Sequence, residues 1–409
     1  MTRSLPPVRT VDVIVVGAGP AGCAAAITLA RAGIDTVVID KATFPRDKVC
    51  GDGLTTSALR SLEHLGLDPS EIASWTDVDT CWVRTPGGRT ARFELPRGRG
   101  RYVAVAPRFE LDAALVDLTR KAGADVLEGH ALAGAAEDHG GVTAEVAGVG
   151  TIRARWAIGA DGMWSPLRRQ LGASVEGYLG EWHAFRQYAS GVGPIASRDF
   201  VVYFEEDLLP GYFWSFPLPG GRANVGFGIQ RGGRYRTRDM KRLWPELLER
   251  PHVRDLLGPD SALEGTHRAW PIPARVDQAR AVTRRALFVG DAVAACDVLT
   301  GEGIGQALAS GLRAAEAIRD AGPSGDAART YERALHQELL ADHRMSALLV
   351  HGLSTVRRAE WALALADAND WTRRNFARWL FEDYPRALVA TPRRWRRGAV
   401  SRPGAFVGR

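Results

Sequence analysis

Three glycines spaced G-x-G-x-x-G, at Gly17, Gly19 and Gly22, are the residues of this chain best suited to hold a pyrophosphate. Gly17 permits a tight turn, Gly19 lets phosphate oxygens approach the backbone, and Gly22 lets a helix pack closely on a strand. The free N–H groups and dipole of the helix that follows favour a bound anion. Asp40 closes the next β-branched run and suits hydrogen bonds to a ribose 2′-hydroxyl. The motif stands in the context it requires: a β-branched run (Val13 to Val16), an Ala-rich helical pattern, then a second run with a terminal acid. A dinucleotide is therefore the expected ligand.

Two further segments place an aspartate and a glycine at a strand end, where a carboxylate can meet hydroxyls and backbone can approach phosphate. They are Gly159-Ala160-Asp161-Gly162 and Leu287-Phe288-Val289-Gly290-Asp291-Ala292. Tyr212, Phe213, Trp214 and Phe216 alternate on a strand, so one face packs the core and the other can line an apolar cavity. Trp214 is the expected wall residue. Cys50 precedes Gly51 in a loop, whereas Cys23 sits in the fingerprint helix as a packing residue. None of the nine histidines has a partner at ligand spacing.

These residues need a framework. Residues 81–95 alternate and turn at Pro86-Gly87-Gly88, predicting a hairpin. A helix is predicted from Glu110 to Gly123, followed by a short strand from Asp125 to Leu127. Residues 143–158 suggest a β-meander, residues 182–230 an antiparallel sheet, and Ala286–Asp291 another strand before a long helix from about Gly303. The expected fold is α/β. Residues 1–80, 100–172 and 281–330 would form a discontinuous Rossmann-type nucleotide domain. Residues 81–99 and 173–280 would form an antiparallel, β-rich substrate domain, and 331–409 a C-terminal helical region.

Composition narrows the class. The 409 residues suffice for two or three domains and a large core. No run approaches the ~20 apolar residues of a membrane span, and MTRSLPPVRT lacks the apolar stretch of a signal peptide. Cys23, Cys50, Cys81 and Cys296 form no C-x-x-C pair, so neither a metal site nor a disulfide framework is expected. Reduced thiols and a cytoplasmic enzyme follow. The net charge of +6 comes with only four lysines among 53 basic residues, an arginine bias without any nucleic-acid-binding motif. No nucleic-acid partner is expected.

In this order, the three nucleotide segments resemble the FAD-binding pattern of the p-hydroxybenzoate-hydroxylase-like flavoproteins over about residues 10–320. Three more segments resemble the geranylgeranyl reductase family within that group. Lys48-Val49-Cys50-Gly51-Asp52-Gly53-Leu54 resembles its K-x-C-G-(G or D)-G segment. Gly211–Pro217 with Asn224–Gly228 resembles its G-Y-x-W-x-F-P and N-V-G-x-G strands, and Leu299–Ile304 its L-T-G-E-G-I loop. Ala295-Cys296-Asp297-Val298 departs from the pattern, which has Asn or Asp and then Pro before that loop.

The resemblance implies FAD held by Gly17, Gly19, Pro20, Ala21, Gly22, Asp40, Lys41, Arg108, Asp161, Gly290, Asp291, Gly301, Gly303 and Ile304. The glycines of the Thr300–Ile304 loop would let backbone approach the flavin ring, and its helix would stabilise negative charge there. Cys50 and Trp214 are the implied catalytic residues. Cys50 is open to three roles: proton donor, flavin-tuning neighbour or site-shaping residue. The implied activity is reduction of carbon–carbon double bonds in an isoprenoid or other large hydrophobic substrate, which would be free or lipid-linked. The alternative is an FAD-dependent hydroxylase acting on an aromatic or polyketide-like substrate; a non-catalytic electron-transfer flavoprotein is a third reading. A halogenase fits poorly, because no lysine falls between Lys48 and Lys121 and GYFWSFP lacks the W-x-W-x-I-P pattern.

No second fingerprint exists, so NAD(P)H would dock transiently or an external electron-donor protein would supply electrons. The tail from Trp371 carries Trp379, Phe381, Tyr384 and Trp395 among ten arginines and only two acids. Two readings are open for it. It would lie on an anionic membrane, placing the enzyme peripherally at the inner face, or fold as a helical lid with solvated arginines.

Overall fold

The computed structural model describes residues 8–322, 326–395 and 400–408. Most of the segment read for a leader (residues 1–7) and Arg396, Arg397 and Arg409 of the tail lie outside the described residues.

The first β-branched run forms the strand Arg9–Val16, sandwiched in parallel between Thr36–Asp40 and Gly150–Gly159. Asp125–Glu128 extends the sheet beyond Thr36–Asp40, and Ala286–Phe288 joins in parallel beside the end of Gly150–Gly159. Val13, Ile14 and Val15 are fully buried, as expected where both faces of a parallel sheet are covered. Each such side chain contributes about 1.5–3 kcal/mol. The strands Leu132–Glu137 and Val142–Val146 complete this sheet as an antiparallel flap. Helix Pro20–Arg31 packs along the long helix Ile304–Ala321, which brings the fingerprint turn and the Thr300–Ile304 loop to the same end of the sheet.

A second sheet of seven strands runs in the order Ala262–Ile272, Trp182–Ser190, Arg222–Gln230, Tyr212–Leu218, Phe200–Phe204, Thr80–Arg84, Thr90–Glu94. Only the pairing of Phe200–Phe204 with Thr80–Arg84 is parallel. Alternation along Tyr212–Leu218 sorts its aromatics as expected. Phe213 enters one core with Phe227 and Trp244, while Trp214 and Phe216 point to the opposite face. That opposite face is covered by helices Val356–Ala366 and Asp370–Leu380, with Phe376 on Phe93 at 4.7 Å between centroids.

Local boundaries shift modestly. The helix expected from Glu110 starts at Arg108, because Pro107 can stand just before a first turn and Arg108 is held there by Asp112. The strand expected over Ala286–Asp291 ends at Phe288 and winds into a short 3-10 turn, Gly290–Val293. Among the described residues no helix is long and apolar enough to cross a membrane.

Candidate functional site

One cavity of about 1070 Å³ runs from the fingerprint turn to the aromatic face of the second sheet. At its first end, Gly17 has φ +104°, and a Cβ there would fall 2.3 Å from the Ala160 carbonyl oxygen. A Cβ on Gly22 would fall 1.9 Å from the Gly17 oxygen. Opposite Gly19 the space is open, rimmed by Arg46 Nη2 at 3.8 Å and Arg108 Nη2 at 4.0 Å. Pro20 and Ala21 begin the helix beside it. This is a cradle with two guanidinium groups and free helix N–H donors, which fits a pyrophosphate.

Asp40 accepts from the Ala18 and Ala42 amides, both at 2.8 Å, so its first task is to shape the turn. Each of its oxygens keeps a second lone pair for a ribose hydroxyl. Lys41 stands exposed at the rim. Arg108 forms a buried bidentate pair with Asp112, at 2.7 Å for both bonds. Asp161 turns one oxygen to the Leu167 amide at 2.9 Å, while Oδ1 is buried and has no hydrogen-bond partner among the described residues. Asp291 accepts from the Cys296 thiol at 3.3 Å, and Gly290, Asp291, Gly301, Gly303 and Ile304 all line the cavity. The structure thus brings every residue named for the cofactor except Gly22 into the cavity wall; Gly22 packs behind the turn. Cradle, open ribose acid and orphaned Asp161 oxygen together fit FAD.

Cys50 lies in the cavity wall, half-buried, and its carbonyl accepts from Asn224 Nδ2 at 2.9 Å. Burial, then the neighbouring Asp52, pushes its thiol up to about 11, so it stays protonated at neutral pH. Trp214 also lines the cavity and donates its Nε1–H to Asn224 Oδ1 at 3.1 Å. Asn224 in turn donates to Asp52 at 2.7 Å, and Tyr188 donates to the same oxygen at 2.8 Å. Sequence reasoning did not single out this anchor, although Asp52 and Asn224 both stood inside quoted segments. Lys48 lies against the Trp270 ring, 3.6 Å from its centroid, and burial lowers its pKa to about 8.

The far end is apolar. Phe200 stacks on Phe216 at 3.5 Å, Phe381 meets Phe200 edge-on at 5.1 Å, and Leu363, Phe376 and Leu380 close the wall. The tail therefore forms a lid, but not the one expected. Trp379, Phe381 and Tyr384 turn inward, Trp379 bonding to the Arg386 carbonyl and Tyr384 to that of Asn375. Arg378 and Arg386 are buried in ion pairs rather than solvated, because Asp383, Glu382 and Asp297 lie within reach. Trp371 and Trp395 remain exposed. Asp297, in the segment that departs from the family pattern, is one of the partners of Arg386.

Residues 10–325 match the FAD binding domain family. The chain is 36% identical to the menaquinone reductase of Mycolicibacterium smegmatis, over 76% of this chain and 77% of that one. It is 32% identical to digeranylgeranylglycerophospholipid reductase 2 of Methanopyrus kandleri, over 78% and 80%. In fold it is similar to a geranylgeranyl bacteriochlorophyll reductase-like protein from Thermoplasma acidophilum, with a TM-score of 0.78, 23% identity, and coverage of 94% and 99%.

Proposed function

Because the chain belongs to the geranylgeranyl reductase family of FAD-dependent oxidoreductases, we propose that it reduces carbon–carbon double bonds in the isoprenoid chain of a quinone or other lipid. The observation that carries this reading is the continuity of the cavity, which joins a dinucleotide cradle at Gly19 to an apolar chamber walled by Trp214, Phe216, Phe200 and Phe381. When bound, FAD supplies the hydride. An isolated alkene has no carbonyl to polarise, so the protein works by aligning it, excluding water and placing a proton. The aromatic walls and the lid do the first two. Cys50 and Trp214 shape the chamber where the alkene lies; the Asp52–Asn224 anchor fixes both. Electrons arrive from NAD(P)H docking transiently or from an electron-donor protein.

The relatives named above are called reductases of a quinone and of a glycerophospholipid, both hydrophobic molecules. In keeping with such a substrate, we place the outer face of the lid on an anionic membrane. Trp361, Leu365 and Trp371 stand 63–69% exposed there, among the exposed Arg357, Arg358 and Arg374. The test is anaerobic turnover of the reduced, FAD-loaded enzyme with prenylated lipids and quinones, followed by mass spectrometry. Products heavier by two hydrogens per bond support the reading; an aerobic product heavier by one oxygen, with no hydrogenated product, sinks it.

A further inference from the structure

The loop ahead of the long helix carries a carboxyl group that the cofactor reading leaves unused. Glu302 lies between Gly301 and Gly303 and lines the cavity. Its Oε1 accepts from the Gly305 amide at 2.8 Å. Among the described residues no donor is hydrogen-bonded to Oε2, and that oxygen is not sealed in the interior, so its open surface is the cavity's.

Two more carboxyl groups and one guanidinium surround it. Glu382, just after the last long helix, accepts from Thr55 Oγ1 at 3.1 Å and from Gln306 Nε2 at 2.9 Å. The Arg386 side chain, 1% exposed, lies 3.4 Å from both Asp297 and Glu382. Asp297 accepts from Ser346 Oγ at 2.6 Å and from the Leu299 and Thr300 amides.

One guanidinium cannot neutralise three buried carboxylates, so the cluster keeps a proton. Asp297, despite its burial, is held below its usual range by Arg386 and its many hydrogen bonds. Burial and then Glu382 push Glu302 from 4.5 up to about 8, and burial also raises Glu382. Cys50, Tyr212 and Cys296 line the same cavity as Glu302. Cys50 holds its own proton more tightly, at about 11.

We propose that Glu302 is the proton donor for alkene reduction, with Glu382 as the positioning residue that keeps the proton on it. The proposal rests on the activity put forward above. As one alkene carbon takes hydride from the reduced cofactor, which is thereby oxidised, the π pair takes the proton at the other carbon. The O–H bond of Glu302 breaks as that C–H bond forms, and the carboxylate is reprotonated from solvent before the next turnover.

E302Q tests this, since an amide oxygen still accepts from Gly305 but carries no acidic proton. The first readout needs no catalysis: thermal unfolding of wild type and E302Q over about pH 5 to 9. A carboxyl raised by folding from 4.5 to about 8 adds stability that is complete below 4.5 and lost as pH rises through 8. Wild type should therefore lose Tm relative to E302Q as pH rises. The second readout is alkene reduction, expected to fall about 10²–10⁴-fold in E302Q. E302D should restore part of the rate with a shifted alkaline limb, and it carries the same test where E302Q does not fold. A Tm gap that is flat with pH, or an E302Q enzyme at the wild-type rate, overturns the proposal while alkene reduction by wild type stands. A wild type that reduces no isoprenoid alkene overturns the proposed function and this donor role together, even where the unfolding data find the proton on Glu302.

Discussion

The two ends of the cavity are built on opposite principles. At the fingerprint end the work is done by backbone, and the decisive side chains are the ones that Gly17, Gly19 and Gly22 lack. Beneath the lid it is done by buried ionisable groups from two segments, Asp297 with Glu302 and Glu382 with Arg386, with Thr55 and Gln306 as hydrogen-bond donors. The first end cannot accept an added atom. The second cannot accept a lost charge.

Arg386→Ala puts the largest strain on that contrast. It strips the guanidinium from a group of three buried carboxyls, and breaking such a pair costs about 3–5 kcal/mol. Denaturant unfolding should show this loss, while FAD content per folded molecule stays near that of wild type. Gly22→Ala attacks the other end with a single methyl group, aimed at the Gly17 carbonyl from 1.9 Å. Overpacking against backbone should cost about 1–3 kcal/mol, and here the yellow colour should vanish from protein that is still folded. If both variants lose FAD in proportion to stability, the two ends are one cooperative unit and the contrast fails.

Asp52 sits between the ends and mixes their principles. Its backbone is in the left-handed region, at φ +64°, and its side chain is a fully buried hydrogen-bond hub. Burial raises its pKa to about 6 from 3.8, against the opposing pull of Arg186, Tyr188 and Asn224. The folded state thus binds this proton more tightly than the unfolded state. The stabilisation is complete below about 3.8 and is lost as pH rises through 6. At about 1.4 kcal/mol per pH unit, wild type should decline by about 2–3 kcal/mol relative to D52N across that window. Paired pH-dependent unfolding curves measure it; parallel curves would mean that Asp52 stays ionised and belongs with the charged lid cluster instead.

The same contrast explains what could be read from the sequence. The fingerprint glycines, Asp40 and the strand–helix–strand context were legible because each is a local requirement of a turn or a strand end. Trp214 was legible as a wall residue because strand alternation sorted it from Phe213. Glu302 stood inside a quoted loop but had no local reason to be unusual. Its partners Glu382 and Arg386 lie about eighty residues away, joined to it only by the folding of the tail over the chamber. The tail misled for the same reason. Its composition is that of a basic surface, yet the tail's own buried Asp383 draws Arg378 inside, and Asp297 from elsewhere in the fold draws in Arg386. Local chemistry is written in spacing; charge pairing across the fold is not.

What remains outside on the lid gives the smallest effect on stability and the sharpest separation of its two faces. Trp361 and Trp371 are 63% and 69% exposed, and neither fills a core. Replacing both with Ser should change unfolding free energy by no more than about 0.5 kcal/mol, as for other surface sites away from packed features. Sedimentation with anionic lipid vesicles should nevertheless drop, because interfacial tryptophans contribute apolar burial that the arginines alone do not supply. Turnover of a short, water-soluble prenyl substrate should be unchanged, since the inner face of the lid, with Phe376, Leu380 and Phe381, is untouched. A double variant that still sediments fully would remove the membrane from the outer face. One that loses turnover of the soluble substrate would show that the two faces of the lid are not independent, and that the apolar end of the cavity is held shut from outside.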